Sequence, residues 1–282
     1  MRTTKAILVF LMIMLSAKVS FAQNLTTDTT RANAYYEMAD SCLEARQLDS
    51  ALFYAQKAQK LYIKHLGENS LKNSNCLHTI GLVNAYAAKY AEALKYWLKK
   101  LEIERELYGE SHTSVADSYH NIGEVYSRKS EYDKALEYFF KSIKIDIEQI
   151  GEKHPSLANS YNSIGSAYQQ KSEYDKALEY YFKSLEIYQG ISGKEHSRIS
   201  GTYNNIGIVY YLKAEYNEAL EYYFKSLEID LENFGRNHPD IATTYMNIGN
   251  VYRIKSEYDK ALKYHFKSLN IKLEFFGKNI LL

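Results

Sequence analysis

The feature that most constrains this chain is a 42-residue internal repeat, seen most clearly in the segment 203–230. One column of the repeat holds glycine in five copies, at Gly81, Gly123, Gly165, Gly207 and Gly249. A second glycine column lies at Gly67, Gly109, Gly151, Gly193, Gly235 and Gly277. Repeats of roughly 20–50 residues are typical of solenoids, in which each unit buries its apolar face against its neighbours. The period therefore predicts a stacked repeat architecture.

Each repeat has the pattern of two helices. In one unit, apolar and aromatic residues follow the i, i+3, i+4, i+7 spacing of a helix face, at Leu157, Ala158, Tyr161, Ile164, Gly165 and Tyr168. The second half of that unit repeats this helical pattern, at Tyr174, Ala177, Leu178, Tyr181, Leu185 and Tyr188. Only residues 171–173 separate the two patterns, so the helices must be antiparallel neighbours. We call the first helix of each repeat helix A and the second helix B.

The joints between repeats carry helix start and stop signals. Glycine at the end of helix B, as at Gly151, suits a left-handed C-terminal cap, and Pro155 suits the first turn of the next helix. Two repeats have Thr113 or Ser197 in place of this proline, where these residues can act as N-caps.

The turn between helix A and helix B leaves two alternatives open. Serine stands there in three repeats, at Ser130, Ser172 and Ser256, and alanine in another, at Ala214. Ser130 and Asp133 can form a capping box for helix B. Alternatively, the serine adopts a left-handed backbone conformation at some energetic cost.

The glycine in the middle of helix A needs a packing explanation, because glycine costs about 1 kcal/mol there relative to alanine. Helix B has a companion column of small residues, at Ala51, Ala93, Ala135, Ala177, Ala219 and Ala261. Small residues in both columns predict a close approach of the two helices, with larger Tyr and Phe side chains packed around the contact. One further aromatic per repeat is expected in the core or between repeats, at Phe140, Phe182, Phe224 and Phe266.

These columns resemble the tetratricopeptide repeat. In the fifth unit the residues that carry the resemblance are Tyr203, Ile206, Gly207, Tyr210, Ala219 and Tyr223. The resemblance covers roughly residues 32–275, and the 42-residue length is similar to the repeats of kinesin light chains and of many bacterial scaffold and signalling proteins. It implies an all-α, right-handed superhelical solenoid of about six stacked antiparallel helix pairs. The solenoid is expected at 31–277, with repeats at about 32–65, 74–107, 116–149, 158–191, 200–233 and 242–275.

Residues 1–22 have the pattern of a secretory signal peptide. A basic start precedes an apolar run, and small residues precede a cleavage position between Ala22 and Gln23. The run of about 12 apolar residues is too short for a membrane anchor, which needs about 20. The sequence therefore predicts export to the periplasm or out of the cell, a flexible lead-in at 23–30 and no membrane span in the mature chain.

Export would permit a disulfide between Cys42 and Cys76, the two cysteines of the chain. The alternative is two small, unpaired thiols that fill core positions. The two residues fall at different heights in the first helices of neighbouring repeats, which favours the second interpretation.

Composition and motifs exclude several classes of function. The formal net charge is +1, and it becomes −2 when Arg2, Lys5 and Lys18 are lost with the leader, so nucleic acid is not an expected partner. The chain has no Gly-rich phosphate loop, His-Glu-x-x-His or Gly-x-Ser-x-Gly motif, so we expect no catalytic residues, no cofactor and no enzymatic activity.

A column of histidines raises the question of a metal site, at His112, His154, His196 and His238. Equivalent points on stacked helices are about 8–10 Å apart, whereas two nitrogen ligands of one zinc lie within about 4 Å of each other. We therefore expect these histidines to be structural residues at the start of helix A, and no metal site.

The remaining candidate is the face of helix A that lies away from helix B. In the family that the repeats resemble, this face lines a groove that binds peptides, which implies a protein or peptide partner. The resemblance places eleven residues there: His120, Asn121, Asn162, Ser163, Asn204, Asn205, Tyr211, Met246, Asn247, Asn250 and Arg253. Asparagine offers both a donor and an acceptor to the backbone of an extended peptide. The alternative is that the asparagines bond to the neighbouring helix.

After Gly277 the pattern asks for another helix, but only a short tail follows at 278–282. An open apolar end indicates a truncated chain, a missing partner or self-association. The sequence as a whole predicts an exported, non-catalytic scaffold that binds a protein or peptide segment in the groove. The alternative is the sensory or regulatory portion of a larger signalling protein.

Overall fold

The computed structural model describes residues 26–190 and 196–280, which form twelve helices and no strand. Helix α1 spans residues 26–44. The others are α2 (Leu48–Leu66), α3 (Leu71–Tyr86), α4 (Tyr90–Tyr108), α5 (Thr113–Arg128), α6 (Tyr132–Ile150), α7 (Pro155–Gln170), α8 (Tyr174–Gly190), α9 (His196–Leu212), α10 (Tyr216–Phe234), α11 (Pro239–Ile254) and α12 (Tyr258–Ile280). Odd-numbered helices are helix A of a repeat and even-numbered helices are helix B. The expected all-α array of six helix pairs is confirmed.

The described residues divide into two compact units, one ending at Lys129 and the other beginning at Ser130. In the first unit, helices α2 to α5 pack in chain order, and Ala32 of α1 packs with Ala58 and Cys76. In the second unit, each helix from α6 to α12 packs against the next one along the chain. Each unit therefore builds its core from contacts between sequence neighbours, as a repeat protein does.

An aromatic ring of helix B occupies the space above the mid-helix glycine of helix A. A Cβ atom added to Gly165 would lie 2.7 Å from the ring of Tyr181, and one added to Gly207 would lie 2.6 Å from the ring of Tyr223. The close approach expected from the small-residue columns is confirmed. The ring lies directly over the glycine, rather than around a Gly–Ala contact.

Tyrosines fill the spaces between helices and between repeats, which accounts for much of the unusual composition. Tyr222 of α10 stacks on Tyr210 with 5.4 Å between the ring centroids, and Phe182 of the preceding repeat meets it edge-on at 6.0 Å. Tyr180 and Tyr264 repeat this arrangement with their own neighbours. The prediction of inter-repeat packing is confirmed for the phenylalanines of this column at Phe140, Phe182 and Phe224.

The backbone at the A–B turn is left-handed in every repeat. The φ angles are 60° at Ser130, 61° at Ser172 and Ala214, 60° at Ser256 and 56° at Ala88. The N-cap of α6 is Glu131, which makes no side-chain cap bond. Of the two alternatives for this turn, the left-handed conformation is the one adopted. The turn is too short to close without a positive φ, so the serine or alanine at this position adopts the strained left-handed conformation.

The joints differ from expectation in two respects. Gly67, Gly109, Gly151 and Gly235 have φ between 70° and 86° but ψ of 166°, 171°, 168° and −171°, which is an extended region open essentially to glycine rather than the left-handed helical region. In addition, the N-cap of α5 is His112, and Thr113 is the first residue of the helix. Ser197 lies inside α9, Gly193 falls outside the described residues, and Gly277 lies within α12.

The histidine of the joint caps helix A through its ring. Nδ1 accepts a hydrogen bond from the backbone N–H two residues on, at 3.1 Å for His112 and 3.3 Å for His154 and His238. In two repeats the ring also stacks on the last residue of the preceding helix B, in the pairs Tyr108–His112 at 4.4 Å and Phe234–His238 at 4.2 Å. These contacts give His112, His154 and His238 a structural role at the start of helix A, whereas the side chain of His196 lies outside the described part of the chain.

The lead-in is ordered where the structure describes it. Residues 26–30 form the first turns of α1, whereas the sequence predicted a flexible segment at 23–30. Asp28 accepts hydrogen bonds from Lys64 at 3.1 Å and His65 at 2.8 Å, which fastens this end of α1 to α2. The predicted signal peptide lies outside the described residues. Among the helices that the structure describes, none is long and apolar enough to cross a bilayer.

Both cysteines are free thiols. Cys76 is buried beside Ala32, Ala58 and Tyr62, whereas Cys42 is partly exposed. Burial raises the pKa of the Cys76 thiol to about 12, so it stays protonated and unreactive at neutral pH. The interpretation as unpaired core thiols holds fully for Cys76 and in part for Cys42.

Candidate functional site on the helix A face

The predicted binding residues lie on helices α5, α7, α9 and α11. Met246 and Arg253 are exposed. The other nine are half-buried, namely His120, Asn121, Asn162, Ser163, Asn204, Asn205, Tyr211, Asn247 and Asn250. Half-buried polar side chains on a helix face are accessible to a partner yet held in place by their neighbours. The structure collects some of them around two polar cavities, one in each unit.

The first cavity lies in the second unit, has a volume of about 340 Å³ and is open to solvent. Three predicted residues line it, namely Asn162, Asn204 and Asn205. Most of its other lining residues were not predicted from the sequence, and they include Arg198, Gly201, Asp230, Asp240 and Thr244. We call it the Asp230 cavity.

The asparagines of the second unit bond across neighbouring helix A segments. Asn205 Nδ2 donates to Asn162 Oδ1 at 3.1 Å, and Asn247 Nδ2 donates to Asn204 Oδ1 at 3.0 Å. Asn162 Nδ2 in turn donates to Thr202 Oγ1 at 3.3 Å. These bonds are the neighbouring-helix interaction that was the alternative to peptide binding. Because each amide has two N–H donors and an oxygen with two lone pairs, one such bond leaves further capacity for a ligand.

Charge in the Asp230 cavity is unevenly compensated. The Asp230 side chain is only 3% exposed, and its Oδ1 accepts a hydrogen bond from Ser200 Oγ. Burial raises the pKa of the Asp230 carboxyl above its usual range, and the charge of Asp240 adds to this, whereas Ser200 and His238 oppose it. Within the described residues, no basic side chain forms an ion pair with Asp230. The nearby Arg198 guanidinium instead donates to Asn159 Oδ1.

The second cavity lies in the first unit and has a volume of about 440 Å³. His78, Asp117, His120 and Asn121 line it, and we call it the His78 cavity. The His78 Nδ1 atom is buried and has no hydrogen-bond partner among the described residues. Burial, together with the charge of Lys100, lowers the pKa of His78 to about 4, so its imidazole is neutral at neutral pH.

A buried ion pair forms one wall of the His78 cavity. Lys100 Nζ donates to Glu104 Oε1 at 2.7 Å and to Ser118 Oγ at 2.7 Å, and Ser118 Oγ donates to Glu104 Oε2 at 2.6 Å. The Lys100 and Glu104 residues are 6% and 3% exposed. The ammonium and carboxylate therefore neutralise each other inside the protein, and the pair has no free charge to offer a ligand.

Departures from the repeat columns are the signal that could have identified these residues. Gly201 stands where other repeats have Asn75, Asp117, Asn159 and Thr243. Lys100 stands where later repeats have Ser142, Ser184, Ser226 and Ser268. A residue that breaks an otherwise regular column changes the local packing, so such positions mark where one repeat differs in chemistry from the others.

The cavities offer hydrogen-bonding and charged groups rather than a metal cluster. In the part of the chain that the structure describes, no group of three or more His, Cys, Asp or Glu side chains could hold a metal ion. The arrangement suits recognition of a polar or charged ligand.

The comparison with family models identifies the repeat. The model described as tetratricopeptide repeat matches residues 77–148, 130–190 and 198–274, which together make up more than half of the chain. The comparison with curated proteins gives no match.

Solved structures with the same fold agree with this match. BtubC (BKLC) from P. vanneervenii is 22% identical with a TM-score of 0.69, covering 83% of this chain and 92% of that one. A kinesin light chain protein of Podosopora anserina with nearly identical TPR-like repeats is 17% identical with a TM-score of 0.61, covering 73% and 98%. The apo form of RapI is 16% identical with a TM-score of 0.67, covering 88% and 85%. At these identities, the similarity concerns the fold alone.

Proposed function

Because the chain belongs to the tetratricopeptide repeat family, whose fold is typical of protein–protein interaction scaffolds, we propose that it binds a protein or peptide segment along the helix A face. Recognition is an equilibrium process without chemistry, and the family is typically non-catalytic. Nucleic acid is not among the proposed partners, because the near-neutral net charge of +1 offers few phosphate contacts.

One observation carries this proposal: four half-buried asparagines form two hydrogen-bonded pairs between successive helix A segments, beside an open polar cavity. These are Asn162, Asn204, Asn205 and Asn247. The links hold the amides in fixed orientations while leaving donors and acceptors unused. A preformed set of this kind can satisfy the backbone of an extended peptide without a large ordering cost.

The test compares the groove with the opposite side of the repeats. Wild-type protein and the double variant Asn205→Ala with Asn247→Ala are immobilised and used to select from a displayed library of random peptides. We expect the wild type to enrich peptides and the double variant to lose at least about tenfold in affinity for them, which corresponds to about 1.4 kcal/mol. A helical far-ultraviolet spectrum and an unchanged cooperative melt establish that the variant is folded.

The matched control is Glu179→Ala with Glu221→Ala. Both residues are exposed at the same position of helix B in successive repeats, and each pairs with a lysine on its own helix. This variant should bind the selected peptides like the wild type. Peptides that bind wild type and the asparagine variant equally well would rule out the helix A face as the binding surface.

The second element of the proposal is export. The signal-peptide pattern of residues 1–22 supports it. Expression of the full chain in a bacterial host, followed by mass spectrometry of the periplasmic and secreted fractions, should find a mature protein beginning at Gln23. A chain that keeps its first residues and remains in the cytoplasm contradicts this element and leaves peptide binding unaffected.

A third element is self-association through the last helix. Helix α12 exposes a row of large apolar side chains at Leu262, Phe266, Leu269 and Leu273, which are 47–62% exposed. Apolar rows of this kind are typical of interaction surfaces. The same row also favours the alternative that further repeats or an output domain of a larger signalling protein cover α12. Genomic sequence immediately downstream of the codon for Leu282 distinguishes these two, because only the alternative requires further coding sequence there.

A further inference from the structure

One column near the end of helix B holds a polar or charged side chain in every repeat. Its members, one per repeat, are Tyr62, Glu104, Asp146, Tyr188, Asp230 and Lys272. Two repeats use the same local solution, in which a tyrosine hydroxyl donates to an asparagine of helix A. Tyr62 reaches Asn33 Oδ1 at 2.6 Å, and Tyr188 reaches Asn159 Oδ1 at 2.6 Å.

The repeat that contains Glu104 uses an internal ion pair instead. Lys100, one turn earlier on α4, places its ammonium between the Glu104 carboxylate and the Ser118 hydroxyl, at 2.7 Å from each. Ser74 adds a further hydrogen bond to Glu104 at 3.3 Å. The carboxylate is thus surrounded by two hydroxyls and one ammonium.

The repeat that contains Asp230 has the same set of groups without the ammonium. Ser200, Asp230 and Thr244 occupy the same repeat positions as Ser74, Glu104 and Ser118, three repeats further along the chain. Ser200 again donates to the carboxylate. Thr244 Oγ1 donates to a backbone carbonyl at 3.2 Å, so its lone pairs are available to a donor. The position of Lys100, however, is taken by Ser226.

The Asp230 cavity lies where this cation is missing. Ser226, Asp230 and Thr244 all line it. Gly201 makes the cavity larger. A Cβ atom at this position would project into open space, with nothing within 4 Å, and the preceding repeat has the larger Asn159 in this column. The cavity of about 340 Å³ is roughly ten times the volume that one water molecule occupies in the liquid. It therefore has room for a side chain that enters from solvent.

We propose that the Asp230 cavity binds the ammonium group of a lysine side chain contributed by the polypeptide partner. This inference rests on the proposed function, since it assigns one anchor residue to the bound segment. The incoming ammonium takes the place that Lys100 fills in the earlier repeat, with Asp230 as its counter-charge and Thr244 as an acceptor. Asp240 is a second carboxylate on the cavity wall and adds to the attraction for a cation. The cavity lining thus contains two carboxylates and one guanidinium, that of Arg198.

The geometry favours lysine over arginine. Guanidinium binds a carboxylate best with two parallel hydrogen bonds, which require both oxygens of the acid. Ser200 takes one lone pair of Oδ1 of Asp230. In the equivalent place of the earlier repeat the bound cation is an ammonium, which Lys100 sets against both Glu104 and Ser118. An ammonium is a compact charge with three donors, so it can combine one carboxylate contact with a hydroxyl and an amide oxygen.

The experiment uses blocked amino acids as probes and the full-length protein. Nα-acetyl-lysine N-methylamide is titrated into wild-type protein and followed by NMR shifts. The expected result is saturable binding, with the Nε-acetylated and arginine analogues at least about tenfold weaker. Free lysine should bind no more tightly than the blocked form. A free amino acid that binds at least tenfold more tightly would overturn the polypeptide source of the ammonium.

Two variants remove the site in different ways. Asp230→Asn keeps the acceptor for Ser200 but loses the charge, and Ser226→Lys supplies the internal ammonium of the earlier repeat. Each variant should weaken binding of the lysine probe at least tenfold. If Ser226→Lys fails to fold, Asp230→Asn still tests the site, because it is nearly isosteric with the wild type. Asp175→Asn, an exposed acid outside the cavity, is the control and should bind the probe unchanged.

The two levels of the proposal fail separately. Saturable peptide binding that shows no lysine enrichment, or lysine binding that survives in Asp230→Asn, overturns the ammonium site and leaves the scaffold function standing. Loss of all peptide selection with retained, Asp230-dependent binding of the lysine probe overturns the scaffold function alone. Absence of probe binding to the wild type overturns the ammonium site outright.

Discussion

Glycine has two different roles in the helix A segments, and α9 contains one of each. Gly207 is covered by the buried ring of Tyr223, so it is there because nothing larger fits. Gly201 faces open space and is exposed, so its only local effect on the fold is the cost of glycine in a helix. The same residue type is a packing requirement at one position and a feature of the cavity at the other.

Alanine substitution separates these two roles. Gly201→Ala should raise the free energy of unfolding by about 1 kcal/mol, the helix-propensity difference. Gly207→Ala gains the same amount but forces a methyl group to within 2.6 Å of the Tyr223 ring, and overpacking costs about 1–3 kcal/mol, so we expect a net loss. Urea denaturation of the two variants measures both changes in the free energy of unfolding. Equal effects in the two would contradict the packing role of Gly207.

The left-handed residue of the A–B turn permits a second comparison within one turn. Ala88 has a φ of 56°, and its neighbour Ala87, also exposed, has a φ of −81°. Ala88→Gly relieves about 1–2 kcal/mol of left-handed strain but makes the unfolded chain more flexible. Ala87→Gly has only the second effect. Thermal unfolding should therefore find Ala88→Gly more stable than Ala87→Gly by about the strain that is relieved, and a reversed order would show that the turn is not strained.

The buried carboxyl of Asp230 predicts a dependence of stability on pH. Because the pKa of Asp230 in the folded state is raised above its ordinary value of 3.8, the folded state holds this proton more tightly than the unfolded state. The contribution of Asp230 to stability is therefore favourable at low pH and is lost as the pH rises through the folded-state pKa. Relative to wild type, Asp230→Asn should become more stable between pH 4 and pH 7. Denaturant melts across this range, with Asp175→Asn as the exposed control, test the trend.

At the scale of the helices, the pair α4–α5 in the first unit has a charged contact at a place where other repeats use hydroxyls. The Lys100–Glu104 pair is almost completely buried and is joined to Ser118. Desolvation of two charges offsets much of their attraction, so such a pair contributes little net stability while both partners are present. Removal of one partner leaves an uncompensated charge in the interior.

The effects of substituting Lys100 and Glu104 on stability should therefore be strongly non-additive. Lys100→Met should lower the free energy of unfolding by about 3–5 kcal/mol, whereas the double variant Lys100→Met with Glu104→Leu should be within about 1–2 kcal/mol of wild type or above it. Equilibrium unfolding of both variants gives the coupling energy directly. Additive losses in the double variant would mean that the residues act through packing alone.

At the scale of the whole molecule, the apolar row of α12 has consequences for the state of association. Leu262, Phe266, Leu269 and Leu273 are all large and exposed. If they meet in a second copy of the chain, each fully buried side chain adds roughly 1.5–3 kcal/mol. Loss of one such contact weakens association by about tenfold or more.

Sedimentation equilibrium should therefore detect a concentration-dependent oligomer of the wild type, and Phe266→Glu should loosen it at least tenfold. Lys263→Ala, a change in a neighbouring exposed residue, is the control and should leave the association constant unchanged. A wild type that stays monomeric up to about 1 mM, where association would be weaker than about 4 kcal/mol, contradicts self-association through this row.

Much of this protein is determined by sequence because its dominant interactions are local and periodic. The sequence predicted the stacked repeats from the 42-residue spacing, and it predicted the buried helix faces and the short A–B turns. Each of these features depends on residues that are close together in the chain. The glycine column at Gly207 predicted a close approach, although not that an aromatic ring would form it. The choice of His112 as N-cap and of a left-handed Ser130 depended on backbone geometry that the pattern does not contain.

Only the tertiary structure decided the chemistry of the helix A face. The asparagines read as peptide-binding residues are bonded across neighbouring helices, and the charged group beside them, Asp230, had not been singled out. Its surroundings bring together Ser200 of α9, Asp230 of α10 and Thr244 of α11, which no single helix pattern links. A cavity is the space that several packed elements fail to fill, so its shape and charge follow from how side chains of different repeats meet.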